Sequence, residues 1–119
     1  MNEEIKAQWI KALRSGEYEQ GKGLLRSFKD KYCCLGVLCD LYSKDTGVEW
    51  VKSWGGSIAM HLHNGTTPPK VDLWAGFVAS DQYDHESNVG VYRILAELAD
   101  LNDNGWTFEE IADYIERTL

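Results

Sequence analysis

The sequence predicts an α+β protein: a single small domain, residues 1–119, with about four helices (one short) around a central buried helix and a small antiparallel sheet. Three observations support this prediction. Both ends of the chain carry apolar residues at helical spacing, the run from Tyr32 to about Ser43 is almost entirely apolar, and the middle is rich in glycine and strand-forming residues. With 119 residues, 44% of them hydrophobic, the chain has room for one core.

The first helix is predicted to run from Asn2, a good N-cap residue, to about Arg14. Residues 17–27 follow, and their glycines at Gly21 and Gly23 predict a short hairpin or a glycine loop.

The central helix is predicted from Tyr32 to about Ser43, and it is apolar on all sides, which is typical of a buried helix. Gly36 lowers the helix propensity of this run. We therefore expect Gly36 to permit the close approach of another element.

The second half of the chain is predicted from the same signals. Val and Trp residues predict strands, apolar residues at helical spacing predict helices, and Thr107 with Glu110 forms a capping box. The elements in order are strands near 48–51 and within 57–63, a short helix at 71–75, a polar surface loop at 78–88, a helix at 91–101 and a last helix from Thr107.

The formal charge of −7 is spread unevenly. Residues 1–52 carry nine Lys and Arg against eight Asp and Glu, whereas residues 53–119 carry three against eleven. Nucleic acids and anionic membranes are bound through basic side chains, so the acidic part excludes both as partners. An anion would have to bind in the N-terminal part.

The cysteine pattern predicts a reducing compartment. The three cysteines are odd in number, and Cys33 and Cys34 are adjacent, which does not suit a disulfide framework. The acidic start has no signal-peptide layout, and no apolar run approaches the roughly 18–20 residues of a membrane span. We therefore expect a cytoplasmic protein with reduced thiols.

A cysteine nucleophile is one hypothesis for the chemistry. Cys33 or Cys34 lies at a helix start, where the helix dipole stabilises a thiolate, and His61 or His63 on a later strand would serve as base. Three residues could orient that histidine: Asp40, Asn64 and Asp72. Buried packing is the favoured interpretation of the cysteines, because free cysteine is among the most buried residue types.

A zinc site built from His61, His63 and the cysteines is a second hypothesis, but their spacing falls outside the common zinc patterns. The segment from Asp100 to Gly105 copies the first half of a calcium loop and lacks its last ligand, since Ile111 stands there. We interpret it as a corner between two helices, and we expect no metal and no cofactor. The helix that follows is acidic and would be repelled by DNA phosphates, so we expect no DNA binding.

The aromatic residues suggest a binding site. Core packing explains most of the five Trp and six Tyr, but such rings also stack on flat ligands while Arg, Lys and glycine N–H groups hold phosphates. The candidate ligand-binding residues are Arg14, Lys22, Arg26, Lys31, Trp50 and Trp54.

The chain resembles a family of small uncharacterised proteins encoded by bacteriophages and prophages. The distinctive string Cys-Cys-Leu-Gly-Val-Leu-Cys-Asp at residues 33–40 carries the resemblance, together with residues 9–21, 71–76 and 101–113. It implies an accessory protein in the cytosol of an infected bacterial host cell, with no established activity.

Two functions are therefore expected. The favoured one is a non-enzymatic binding protein that counters host defence, either by sequestering a nucleotide-derived signal or by blocking a host defence protein through its acidic helices. The alternative is a small cysteine-dependent hydrolase that uses Cys33 or Cys34 with His61 or His63. Paired aromatic faces are compatible with a homodimer.

Overall fold

The computed structural model describes residues 1–52, 57–60, 65–78 and 85–119, the side chains of Ser57 and of residues 85–89 excepted. It has an α+β fold in which four helices, one of them short, surround the buried helix α2, as the sequence predicts. The elements in chain order are α1 (Glu3–Arg14), β1 (Glu19–Gln20), β2 (Arg26–Ser27), β3 (Lys31–Tyr32), α2 (Cys34–Thr46), β4 (Val51–Lys52), β5 (Ser57–Ala59), α3 (Pro69–Trp74), α4 (His85–Asp103) and α5 (Phe108–Thr118).

Local capping signals fix the two terminal helices where the sequence predicts them. The Asn2 side chain accepts a hydrogen bond from the N–H of Ile5 at 3.0 Å and begins α1. Thr107 and Glu110 form the predicted capping box at the start of α5. Each cap satisfies N–H groups that have no partner inside the helix.

Helix α4 is longer than predicted. It begins at His85, inside the segment predicted as a surface loop, and ends at Asp103 rather than near residue 101. The prediction followed apolar residues, which a helix needs only where it packs against a core. Backbone hydrogen bonds build the remaining turns regardless of side-chain polarity.

The sheet is mixed rather than antiparallel. Its strand order is β1-β3-β2-β5-β4, and β1 pairs with β3 in parallel while the other pairs are antiparallel. The predicted hairpin within residues 17–27 is wrong, because β1 does not pair with β2. Residues 21–25 form a loop, which was the other prediction, and the hairpin is the β2–β3 pair, closed by residues 28–30.

Helix α2 lies at the centre of the core. Its residues Cys34 to Asp40 are all buried, and the indole N–H of Trp9 on α1 donates to the carbonyl of Cys34 at 3.0 Å. Helices α1, α3 and α4 pack against it. None of the helices in the described part of the chain combines the length and apolar character that a membrane span requires.

Two side-chain amides join distant parts of the chain. The Asn102 side chain is fully buried near the end of α4. Its oxygen accepts from the N–H of Cys34 at 3.2 Å and from the Gln20 amide at 2.9 Å, and its nitrogen donates to the carbonyl of Gly21 at 2.8 Å. The Gln20 amide also donates to the carbonyl of Trp106 at 2.6 Å. The calcium-like segment is therefore a helix corner, as predicted, with Asn102 turned into the core.

Gly36 allows the backbone of the β1–β2 loop to contact α2, as the sequence predicts. A Cβ atom added at Gly36 would overlap the carbonyl group of Leu25. This contact is between two backbones, so no flexible side chain can move to make room.

Asp72 on α3 is a buried carboxylate with incomplete hydrogen bonding. Its side chain is 3% exposed, and Oδ1 has no hydrogen-bond partner in the part of the chain that the structure describes. Burial raises the pKa of Asp72 to about 6 from its ordinary 3.8, although a hydrogen bond from Thr67 acts in the opposite direction.

We expect Gly36→Ala to lower the free energy of unfolding by at least about 3 kcal/mol, because the new methyl group would force the Leu25 backbone away from α2. Gly90→Ala is the matched control. Gly90 lies within α4 with open space around its Cα, so alanine there should be neutral or stabilising by about 0.5–1 kcal/mol. Chemical denaturation of both variants measures the difference, and equal stabilities would contradict the close approach.

We expect Asp72→Asn to raise the free energy of unfolding at pH 7.5 by on the order of 2 kcal/mol, because it removes a charge that burial disfavours. Between pH 4 and 6 the folded wild-type protein binds more protons at Asp72 than the unfolded chain does. The contribution of Asp72 to the free energy of unfolding is therefore fully present below about pH 4, and it is lost as the pH rises through about 6.

The advantage of Asp72→Asn should accordingly vanish when denaturation is repeated at pH 4. Asp100→Asn is the control, since Asp100 is an exposed carboxylate on α4. This control should follow the wild-type pH dependence. An Asp72→Asn advantage that is the same at both pH values would show that Asp72 is not a desolvated charge in the folded state.

Candidate functional site

The described residues bring a carboxylate and several donors together beside α2. Asp40 is 9% exposed. Its Oδ2 accepts from the Tyr18 hydroxyl at 2.5 Å and lies 3.4 Å from Lys44 Nζ, and its Oδ1 accepts from the Trp50 indole at 3.0 Å. The donors come from the segment before β1, from one turn further along α2, and from the segment before β4. Three separate parts of the chain therefore meet at one carboxylate.

Burial and hydrogen bonding fix the protonation of the two groups next to Asp40, Tyr18 and Lys44. Burial and the hydrogen bond to Asp40 raise the pKa of Tyr18 to about 12, although a hydrogen bond from Lys44 acts in the opposite direction. The hydrogen bond to Tyr18 is the main reason that the pKa of Lys44 is raised as well. At neutral pH Tyr18 is thus a neutral hydroxyl donor and Lys44 is a cation.

A cation lies over two rings next to Asp40. The Arg26 guanidinium carbon is 5.3 Å from the centroid of the Tyr32 ring and 5.5 Å from that of the Trp50 ring. The Tyr32 ring is edge-to-face with Tyr18, at a centroid distance of 5.0 Å, and with Trp50 at 6.3 Å. These contacts hold the guanidinium as a flat, positively charged surface.

Asp30 holds the guanidinium from the turn between β2 and β3. Its Oδ1 accepts from Arg26 Nε at 2.9 Å and from Nη2 at 2.8 Å. Asp30 is the one non-glycine residue with a positive φ, 56°, among those the structure describes. Aspartate tolerates this left-handed conformation better than most residues. No hydrogen bond of Arg26 Nη1 is found within the described ranges, so that end of the guanidinium has donors to offer.

Asp40, Arg26 and their neighbours line a cleft of about 410 Å³, which we call the Asp40 cleft. Its lining carries three carboxylates and two cations. It can therefore receive and donate hydrogen bonds and contact a flat ligand, while its net charge stays close to neutral. The lining residues are Glu17, Tyr18, Arg26, Asp30, Tyr32, Asp40 and Lys44.

Comparison with known proteins identifies a family for this chain. A family model described as "Domain of unknown function (DUF8296)" matches residues 1–119. The chain belongs to this family. A search of curated proteins and a search of solved structures each find no match.

The predicted ligand-binding residues of this DUF8296 chain are placed in different parts of the structure. Arg26 lines the Asp40 cleft, and Trp50 contacts Arg26 and donates to Asp40. Lys31 pairs with Glu19 at 3.5 Å on the neighbouring strand, and Lys22 is exposed in the loop between β1 and β2.

Arg14 lies elsewhere. It pairs with Asp113 at 2.6 Å and with Glu116 at 3.1 Å on α5, and it lines a separate groove of about 660 Å³ along α1. Trp54 lies outside the described residues, as do His61, His63 and Asn64.

Most of the cleft is not predicted by the sequence. The sequence suggests Asp40 only as a partner for a histidine, and it assigns no binding role to Tyr18, Asp30, Tyr32 or Lys44. One signal was available: Asp40 is a charged residue within an almost wholly apolar helical run, and a buried charge needs partners. The identity of those partners is a long-range property of the fold.

The cysteines are part of the core. Cys33 is 3% exposed, and Cys34 and Cys39 are fully buried. The Cys33 sulfur is the N-cap of α2, accepting from the N–H of Gly36 at 3.4 Å. Burial raises the pKa of Cys33 to about 11 and raises those of the other two well above the usual value. A nucleophilic cysteine needs the opposite: access and a lowered pKa.

No group of three potential metal ligands occurs among the described residues, which leave out His61 and His63.

We expect all three thiols of the native protein to resist Ellman's reagent at pH 8. Only roughly a thousandth of a thiol with a pKa near 11 is thiolate at that pH, and burial blocks access as well. In guanidinium chloride all three should react at once. A thiol that reacts quickly in the native protein would restore the cysteine nucleophile as a hypothesis.

Proposed function

We propose that this DUF8296 protein is a phage-type accessory binding protein of the bacterial cytosol, which counters host defence by sequestering a nucleotide-derived signal in the Asp40 cleft. The resemblance to small phage proteins supports the setting. One observation supports the binding role above all: the Arg26 guanidinium lies over the Tyr32 and Trp50 rings, next to the residues that donate hydrogen bonds to Asp40. The proposal is non-enzymatic, since the buried thiols give no support to a hydrolase.

The chemistry of the cleft suits a nucleotide. Bases stack on aromatic rings and on the plane of a guanidinium, and the cleft offers both. Arg26 Nη1 and Lys44 Nζ are the donors for a phosphate group. A volume of about 410 Å³ falls within the range of about 300–1,000 Å³ that small-ligand sites occupy.

The carboxylates of the cleft restrict the ligand further. A phosphate must compete with Asp30 for Arg26 and with Asp40 for Lys44. Two cations that are already paired cannot neutralise several phosphate charges. We therefore propose a ligand with a single phosphate charge, such as a cyclic mononucleotide, rather than a triphosphate.

We expect calorimetry with cyclic AMP, AMP, ADP-ribose and ATP to show binding. The affinity for the singly charged cyclic AMP should be higher than the affinity for ATP. Arg26→Ala should weaken binding at least about tenfold, because it removes both the stacking plane and a phosphate donor. Arg93→Ala is the matched control, since Arg93 is exposed on α4 and does not line the cleft, and it should bind like the wild type.

Lys44→Gln is a second variant, in case Arg26→Ala alters the fold, and near-ultraviolet circular dichroism checks both variants. Absence of binding across the panel, or equal binding by Arg26→Ala, would rule out sequestration in this cleft.

Blocking of a host protein is the second candidate, and one observation favours it. The carboxylates of α5 are exposed: Glu109, Glu110, Asp113 and Glu116. An acidic helix face of this kind suits a basic partner surface. A pull-down from host lysate that retains a protein, together with absence of nucleotide binding, would favour this candidate over sequestration.

A further inference from the structure

Another cavity lies between α2, α3 and α4, and none of the described residues that line it also lines the Asp40 cleft. Its volume is about 270 Å³. Most of its wall is apolar, with Leu35 from α2 and Leu95 from α4 among the contributors, and Asp72 is the one acidic residue among the described residues that line it. The remaining lining residues are Thr66, Thr67, Pro69, Tyr92, Ala96 and Ala99.

The hydrogen bonding of Asp72 is unusual for a buried carboxylate. Buried charges in proteins are normally paired and fully hydrogen-bonded. Asp72 receives a hydrogen bond from Thr67, yet its Oδ1 has no partner in the part of the chain that is described. A side chain that is 97% buried with an orphaned acceptor is not explained by packing alone.

We propose that this cavity binds a small molecule with an apolar body and a protonated amine, and that the amine pairs with Asp72. A cation supplies both the charge and the donor that Oδ1 lacks. The body must be small, because an apolar cavity of about 150 Å³ holds benzene and this one is less than twice that size. An aromatic or branched aliphatic amine of about ten non-hydrogen atoms fits both requirements.

Benzylamine is the probe for this site, with toluene and benzyl alcohol as neutral molecules of the same body. At pH 7.5 Asp72 is ionised and benzylamine is protonated. We expect benzylamine to bind at least about tenfold more tightly than benzyl alcohol. A hydrogen bond to a charged group usually raises the affinity by about this factor relative to a neutral hydrogen bond. Chemical-shift changes in the backbone amides of α3 and α4 measure each affinity and locate the site.

The Asp72→Asn variant tests the role of the carboxylate. It should bind benzylamine and benzyl alcohol within about threefold of each other, because the ion pair is lost and the apolar wall remains. Asp100→Asn, an exposed change on α4, should keep the wild-type preference. Ala99→Phe should abolish binding of all three probes by filling the cavity.

Two results would overturn the proposal: equal affinities of the wild type for the amine and the alcohol, or an amine preference that survives Asp72→Asn. A lysine side chain of a partner protein carries the same amine on a thinner body, and n-butylamine imitates it. Tighter binding of n-butylamine than of benzylamine would assign the cavity to a lysine and overturn the small-molecule form. Because this cavity lies apart from the Asp40 cleft, its outcome is independent of nucleotide binding.

Discussion

The fold depends on two side-chain amides, Asn102 and Gln20, that cap helices from a distance. The first N–H groups of a helix have no partner within it. Asn102 near the end of α4 accepts from the N–H of Cys34 at the start of α2, and Gln20 on β1 accepts from the N–H of Phe108 at the start of α5 at 3.1 Å. Each amide also donates, so an aspartate or glutamate could not replace it. Strand β1 and three helices are joined through this pair.

Helix α2 then determines where both cavities lie. Leu35 and Asp40 are five residues apart, and at about 100° per residue they face directions about 140° apart on the helix. One side of α2 therefore contributes to the Asp72 cavity and another to the Asp40 cleft. The contact of Leu25 with Gly36 brings the start of β2 against the helix. Because Arg26 follows Leu25 directly, this contact also sets the position of the guanidinium in the cleft.

The features that could be predicted from the sequence are those that depend on neighbours along the chain. The caps at Asn2 and Thr107 and the buried central helix are local patterns, and they are confirmed. The parallel pairing of β1 with β3 involves two strands of two residues each, which leave almost no propensity signal. The start of α4 at His85 differs from the prediction, because the polar composition of residues 78–88 is typical of a loop.

The Asp40 cleft could not be predicted for a related reason. The hydrogen bonds from Tyr18 and Trp50 to Asp40 join residues 22 and 10 positions apart, so no local spacing encodes them. Single residues were identifiable, as Arg26 and Trp50 were, because cations and rings are suited to ligands whatever the fold. Which of them meet is decided by tertiary packing, and that separates Arg26 from Arg14, whose charge is taken up by α5.

The two carboxylates that are buried in the described part of the chain, Asp40 and Asp72, differ in how their charge is compensated. Asp40 has a donor on each side, from Tyr18, Lys44 and Trp50, so its charge is compensated within the protein. Asp72 has one such donor and an oxygen without a partner. A compensated carboxylate fixes the donors around it; burial, with the hydrogen bond to Asp40 as the second cause, raises the pKa of Tyr18 and keeps its hydroxyl a donor. An uncompensated carboxylate destabilises the protein without a ligand, and a cation that binds from outside would stabilise it most. In the two proposed sites the roles therefore differ: Asp40 would hold the proposed binding residues in place, whereas Asp72 would itself contact the proposed ligand.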